Sequence, residues 1–241
     1  MIAVLQVEVR KLNGSLALLL AVLAPALPGL LAALSLISTD RAPQWESILT
    51  GFVLPIWSLF LLPMVVAAFT TLVGQIEYRA RGWDHLLALP IARWQLFLAK
   101  AVVVLAASAM MTLLVLLFAW VGASIGGAIG GHTLLGTLPW AKLARTVLLL
   151  LAGSTMLVVI QLWAALRFAS FVMPLVVGIG GTLVAMAVAM TRTDQAAWFP
   201  WVLPLKILSA PNPVPFALFG GIGGLVLLAI MVTDLSRHSF R

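Results

Sequence analysis

There is no cysteine among the 241 residues. Disulfides, thiolate-bound zinc, iron–sulfur clusters and thiol catalysis are therefore excluded. Charge is scarce as well: 9% of residues are Asp, Glu, Lys or Arg, against 63% hydrophobic ones. No soluble domain has that balance. A phosphate loop is missing, since G-x-x-x-x-G-K-[ST] occurs nowhere in the chain. His85, His132 and His238 are scattered and form no H-E-x-x-H pair. His132 lies near Ser124, but no orienting acid and no G-x-S-x-G accompany them. No acid or base sits clearly at the centre of an apolar run, which argues against a proton-coupled carrier or an ion channel.

What the chain has instead is length in hydrocarbon. A spanning helix needs about 20 mostly apolar residues, because backbone polar groups cannot be left unpaired in lipid. Six runs qualify: 16–37, 51–73, 96–121, 143–164, 171–190 and 216–232. With a mean hydropathy of +1.17, they predict an all-α membrane protein forming one transmembrane domain over residues 1–241. The first run follows Arg10 and Lys11 like a signal peptide. It is longer than the apolar stretch of such peptides and no small-residue cleavage site follows it, so it reads as a span. Pro25, Pro28, Pro55 and Pro63 each remove a backbone donor, so kinks are expected in the first two spans.

Orientation follows the cations. One side would hold Arg10, Lys11, Arg79, Arg81, Arg93, Lys100, Arg167, Arg237 and Arg241; the other would hold Arg41, Lys142, Arg145, Arg192 and Lys206. The excess puts both termini in the cytoplasm. The net charge of +7 then reflects side chains beside anionic headgroups. No extended basic run exists, so no nucleic-acid partner is expected. Trp45, Trp57, Trp120, Trp140, Trp198 and Trp201 fall near the outer interface, and Trp83, Trp94 and Trp163 near the inner one, as aromatic belts would.

Residues 75–94, QIEYRARGWDHLLALPIARW, stand apart. On one helical wheel Glu77, Arg81, Asp84 and His85 share a face opposite Ile76, Ala80, Trp83, Leu86 and Leu87, with Arg79 at the margin. Such a helix would lie along the membrane with its charges in the cytoplasm. Those charges are either simply solvated or form a docking surface for a protein. At the start of the chain, Ile2, Leu5, Val9 and Leu12 have helical spacing away from Glu8, Arg10 and Lys11, which suits a short interfacial helix or a loose tail.

The stretch 191–215 carries Trp198, Phe199, Trp201, Leu203, Leu205, Ile207 and Leu208 between Pro200, Pro204, Pro211 and Pro213. It is too apolar for a free loop and too broken to span. It should lie in the outer interface or dip into the bundle, as a plain loop or as a gate. Gly126 with Gly130, and Gly220 with Gly224, have the small-xxx-small spacing of close helix contacts, within the subunit or across a dimer.

An acid after the second span, a basic residue, a Trp, a Leu-rich stretch ending in Leu-Pro, an Arg and a Lys follow one another as Glu77, Arg79 or Arg81, Trp83, Leu86, Leu87, Leu89, Pro90, Arg93 and Lys100. This pattern resembles permease subunits of ABC-2 type ABC transporters. Across nearly its whole length the chain is similar to the small six-span permeases of lantibiotic and bacitracin self-protection. The Leu166–Phe171 turn, Pro174 and Gly178, Gly180 and Gly181 add to the likeness.

The resemblance implies six transmembrane helices, an N-terminal interfacial helix, a cytoplasmic coupling helix and a short outer re-entrant segment before the last span. It makes Glu77, Arg79, Arg81, Trp83, Asp84 and His85 coupling residues and Trp198, Phe199, Trp201 and Leu205 part of the outer segment. It implies an exporter in a bacterial plasma membrane, paired with a second permease of its own or a related kind. Two copies of a separate cytoplasmic ABC ATPase would bind ATP and magnesium, while this chain binds no cofactor or metal. An amphiphilic or peptide cargo is implied. A membrane scaffold that docks a cytoplasmic protein, and an ATP-independent carrier, are the other readings of the same chain.

Overall fold

The computed structural model describes residues 1–39, 43–79, 83–88, 90–191 and 195–238. Helix α1 (Ile2–Leu12) precedes the first span, which is built from α2 (Leu16–Leu23) and α3 (Ala26–Ile37). Gly14, at φ 72°, turns the chain between α1 and α2, and Ser15 caps α2 by accepting from the Leu18 N–H. The second span joins α4 (Trp45–Ile48), α5 (Leu54–Ile56) and α6 (Leu62–Arg79) through two π turns. Short α7 (Trp83–Ala88) leads to α8 (Arg93–Ile129), α9 (Trp140–Arg167) and α10 (Val172–Thr191). Short α11 (Leu203–Ser209) and the long α12 (Val214–Arg237) complete the chain. Among the described residues six helices are long and apolar enough to cross a membrane, and there is no strand. At 37 residues α8 is about 55 Å long, so it continues well beyond a hydrocarbon core of about 30 Å.

The prolines act in different ways. Ala24 and Pro25 interrupt the first span, as a missing donor requires. Pro28 does not, because it lies in the first turn of α3, where its N–H would have no helical acceptor. In the second span the Leu54 N–H reaches Leu49 O and the Leu62 N–H reaches Trp57 O, both i→i−5. Each wide turn immediately precedes a proline, Pro55 or Pro63, and gives its ring room without ending the helix.

The helices meet through small residues. A Cβ on Gly126 would stand 2.5 Å from Ala33 O, and one on Gly130 2.7 Å from Leu36 O, so both glycines let α8 lie against α3. A Cβ on Gly220 would meet the Gly153 backbone, and one on Gly224 would lie 2.7 Å from Thr155 Cγ2, so α12 closes on α9 in the same way. The hydroxyls of Thr70, Thr71, Thr112, Ser154 and Thr155 donate back to carbonyls one turn earlier. Gln161 is fully buried. With its amide oriented by its surroundings, Nε2 donates to Pro174 O (3.2 Å) and Oε1 accepts from the Gly178 N–H (3.0 Å).

Three of the belt tryptophans are turned into the bundle. Trp57 is fully buried, with Nε1 donating to Thr112 Oγ1 at 3.3 Å. Trp83 and Trp201 are buried as well. Trp94, Trp120, Trp140 and Trp198 remain exposed.

Candidate functional site

Both ends of the described chain lie at one end of the bundle, where α1, the last turns of α6 and the first turns of α8 converge. Four charges meet there. Glu8 Oε1 accepts from Lys11 Nζ at 2.5 Å, and Glu8 Oε2 from Lys100 Nζ at 2.6 Å. Glu77 Oε1 accepts from both Lys11 (3.0 Å) and Lys100 (2.8 Å). Glu8, Glu77 and Lys100 are buried and Lys11 is about four-fifths so, at 21% exposed. Two acids and two amines leave no net charge, the condition under which such groups tolerate burial.

Burial by itself would raise the Glu8 carboxyl. The Lys100 charge and the hydrogen bonds from Lys100 and Lys11 outweigh that and hold it below its ordinary range. Burial would lower Lys11, and its contacts with Glu8 and Glu77 outweigh that and hold it above. Glu77 Oε2 is buried without a hydrogen-bond partner among the described residues.

The sequence places Glu77 on a solvated face shared with Arg81, Asp84 and His85. The structure differs. Glu77 belongs to α6, not to α7, and its carboxylate points into the bundle. Trp83 opens α7 and is also turned inward, stacked on Phe97 (centroids 5.9 Å) and edge-on to Tyr78 (5.7 Å). These two residues therefore fix the segment in place and do not themselves offer a surface. Arg79, Ala88, Pro90, Arg93 and Trp94 form its exposed rim. Asp84 and His85 fall within α7; Arg81 and Leu89 lie outside the described residues. Tyr78 donates its hydroxyl to Leu166 O at 2.7 Å and Gln75 Nε2 donates to Ala169 O at 3.1 Å. The end of α6 is thus tied to the α9–α10 turn as well as to α1 and α8.

Sequence reasoning missed the roles of Glu8, Lys11 and Lys100. The signal was present in two places. Lys100 stands inside the apolar stretch LFLAKAVVV, where a cation needs a buried partner. Glu8 and Lys11 are three apart on α1, so they share a face.

A family model described as "ABC-2 family transporter protein" matches residues 4–203. The chain belongs to this family. It is a multi-pass membrane component of a transporter and not its catalytic subunit. No curated protein and no solved structure matches it significantly.

At the far end of this ABC-2 protein, the segment before α12 folds inward. Trp201, Val202, Leu203 and Ile207 are buried, whereas Trp198 is exposed and Phe199 and Leu205 are half-buried. Phe199 stacks on Trp201 (5.2 Å). The Trp201 ring covers Gly181 near the middle of α10, and Ile207 covers Gly153 near the middle of α9. Residues 201–207 therefore reach far down into the bundle. At the same end Lys142 pairs with Glu46, and His132 Nε2 donates to Thr39 O at 2.7 Å.

Proposed function

We propose that this ABC-2 family member is the permease subunit of an ATP-driven exporter in a bacterial plasma membrane. It works with a second six-span permease, the same chain or a related one, and with two copies of a separate ABC ATPase. ATP and magnesium are bound by that ATPase. Both termini and α7 face the cytoplasm. The observation that carries this reading is the placement of α7. It sits between the second and third spans, pinned by Trp83 at the termini end, with a basic rim that includes Arg79 and Arg93. Charge supplies register and specificity at such a surface.

The buried charges extend the proposal. A push on α7 moves Trp83 and the end of α6, and Glu77 passes the motion to α1 through Lys11 and to α8 through Lys100. The second oxygen of Glu77 is an acceptor ready for another donor when α7 shifts. Arg79, Arg81, Asp84 and His85 contact the ATPase, while Glu77 and Trp83 are positioning residues. The segment 198–205 closes the outer end of the pathway. The cargo is an amphiphile or a membrane-active peptide of the lantibiotic kind.

The test is co-expression with candidate ABC ATPases from the same organism, followed by purification and assay of ATP hydrolysis. Arg79→Ala combined with Arg81→Ala should leave the permease folded and cut its stimulation of the ATPase, or the yield of complex, by about tenfold. Undiminished stimulation removes the docking assignment. Failure of the unsubstituted chain to bind any ATPase favours a scaffold or an ATP-independent carrier.

A further inference from the structure

At the termini end, α9, α10 and α12 frame an open groove of about 390 Å³ that has no part in the charge cluster. Ile160, Ala164, Phe168 and Val177 make its walls apolar. Its mouth is polar and carries both signs. Trp163 Nε1 donates to Asp234 Oδ2 at 2.9 Å, and Arg167 Nε lies 3.5 Å from the same oxygen. Arg167 also donates from Nη1 to the His238 ring at 2.9 Å. The Arg167 and Asp234 side chains stay 40% and 36% exposed, so both can still meet a ligand. Every hydrogen bond that Asp234 accepts from the described residues ends on Oδ2, which leaves Oδ1 without a partner among them, on a residue that lines the groove.

A cation and an anion thus stand side by side over an apolar trough, at the level where the spanning helices end. The complementary ligand has a phosphate and a hydrogen-bonding ammonium next to each other, joined to a hydrocarbon chain. We infer that the groove holds one molecule of phosphatidylethanolamine. Its phosphate rests on Arg167, its ammonium donates to Asp234 Oδ1, and the upper part of one acyl chain follows Ile160, Ala164 and Val177. The ammonium of phosphatidylcholine has no N–H to donate. Phosphatidylglycerol brings no cation and places its charge beside Asp234. The groove therefore selects for headgroup. Trp163, the aromatic at the mouth, sets the depth of the lipid. The inference does not depend on the identity of the ATPase or the cargo.

The experiment uses the full chain in phosphatidylcholine vesicles. A small fraction of guest lipid with brominated acyl chains is added, and quenching of tryptophan emission is measured. Subtracting a Trp163→Phe variant isolates the signal of Trp163. Brominated phosphatidylethanolamine should quench Trp163 about fivefold more effectively than brominated phosphatidylglycerol or phosphatidylcholine at equal mole fraction. Asp234→Asn should abolish that preference, and Arg167→Gln should weaken it. Equal quenching by all three guests would mean ordinary annular lipid and overturn the proposal, as would a preference for phosphatidylglycerol. A preference that survives Asp234→Asn would overturn the assigned headgroup contact. The comparison of guests on the unsubstituted chain decides the matter even if a variant fails to fold.

Discussion

Lys100 is the residue on which most depends. It touches both carboxylates of the cluster, and removing it would leave two buried acids with one shared cation. Lys100→Met is expected to destabilise the protein by about 3–5 kcal/mol, read as a lowered unfolding temperature in detergent. Combining it with Glu77→Gln should restore part of the loss, since a neutral pair no longer carries an unmatched charge. Equal stability of the single variant and the unsubstituted chain would show that the cluster is not formed. Proton linkage gives a second prediction. Glu8 is held below its ordinary value of 4.5, so its contribution is present above that value and fades as pH falls through the lower folded one. Lys11 is held above 10.5, so its contribution is complete below that value and fades as pH rises through the higher one. The stability difference between unsubstituted protein and a Glu8→Gln, Lys11→Met double variant should therefore be flat from roughly pH 5 to 10 and shrink on both sides. A difference that already falls between pH 6 and 8 contradicts the pairing.

At the scale of elements, the glycine contacts make the sharpest prediction. Gly126→Ala forces a methyl against the Ala33 carbonyl and should cost about 1–3 kcal/mol, whereas Gly180→Ala, with nothing nearby, should be neutral or slightly stabilising. Thermal melts of the two variants check the difference, and similar melts would mean that α3 and α8 are farther apart. The spans themselves were legible in the sequence because hydrocarbon imposes length and composition on every one of them. Their ends were less so: α8 runs to Ile129 and the second span starts at Trp45, since helices continue past the apolar core into water. The π turns at Pro55 and Pro63 were not legible, because a proline signals a lost donor but not how the helix accommodates it. The charge cluster was hidden for another reason. One helical wheel over 75–94 joins residues that belong to α6 and α7, and two of the pairs, Lys11 with Glu77 and Lys100 with Glu8, span 66 and 92 positions. Short-range periodicity carries no information about such pairs.

For the whole molecule, the proposed function requires that a motor outside the membrane grip the rim of α7 and that the bundle carry that force inward. The absence of cysteine makes this directly measurable, because a single introduced thiol is unique. Ala88→Cys places it on the exposed part of α7, and Trp198→Cys places it at the far end of the bundle. In intact cells a membrane-impermeant maleimide should label position 198 and spare position 88. In membranes containing the ATPase, a short thiol-to-amine cross-linker should join position 88, and not position 198, to that ATPase. Labelling of position 88 from outside the cell, or cross-linking of the ATPase through position 198, would contradict it.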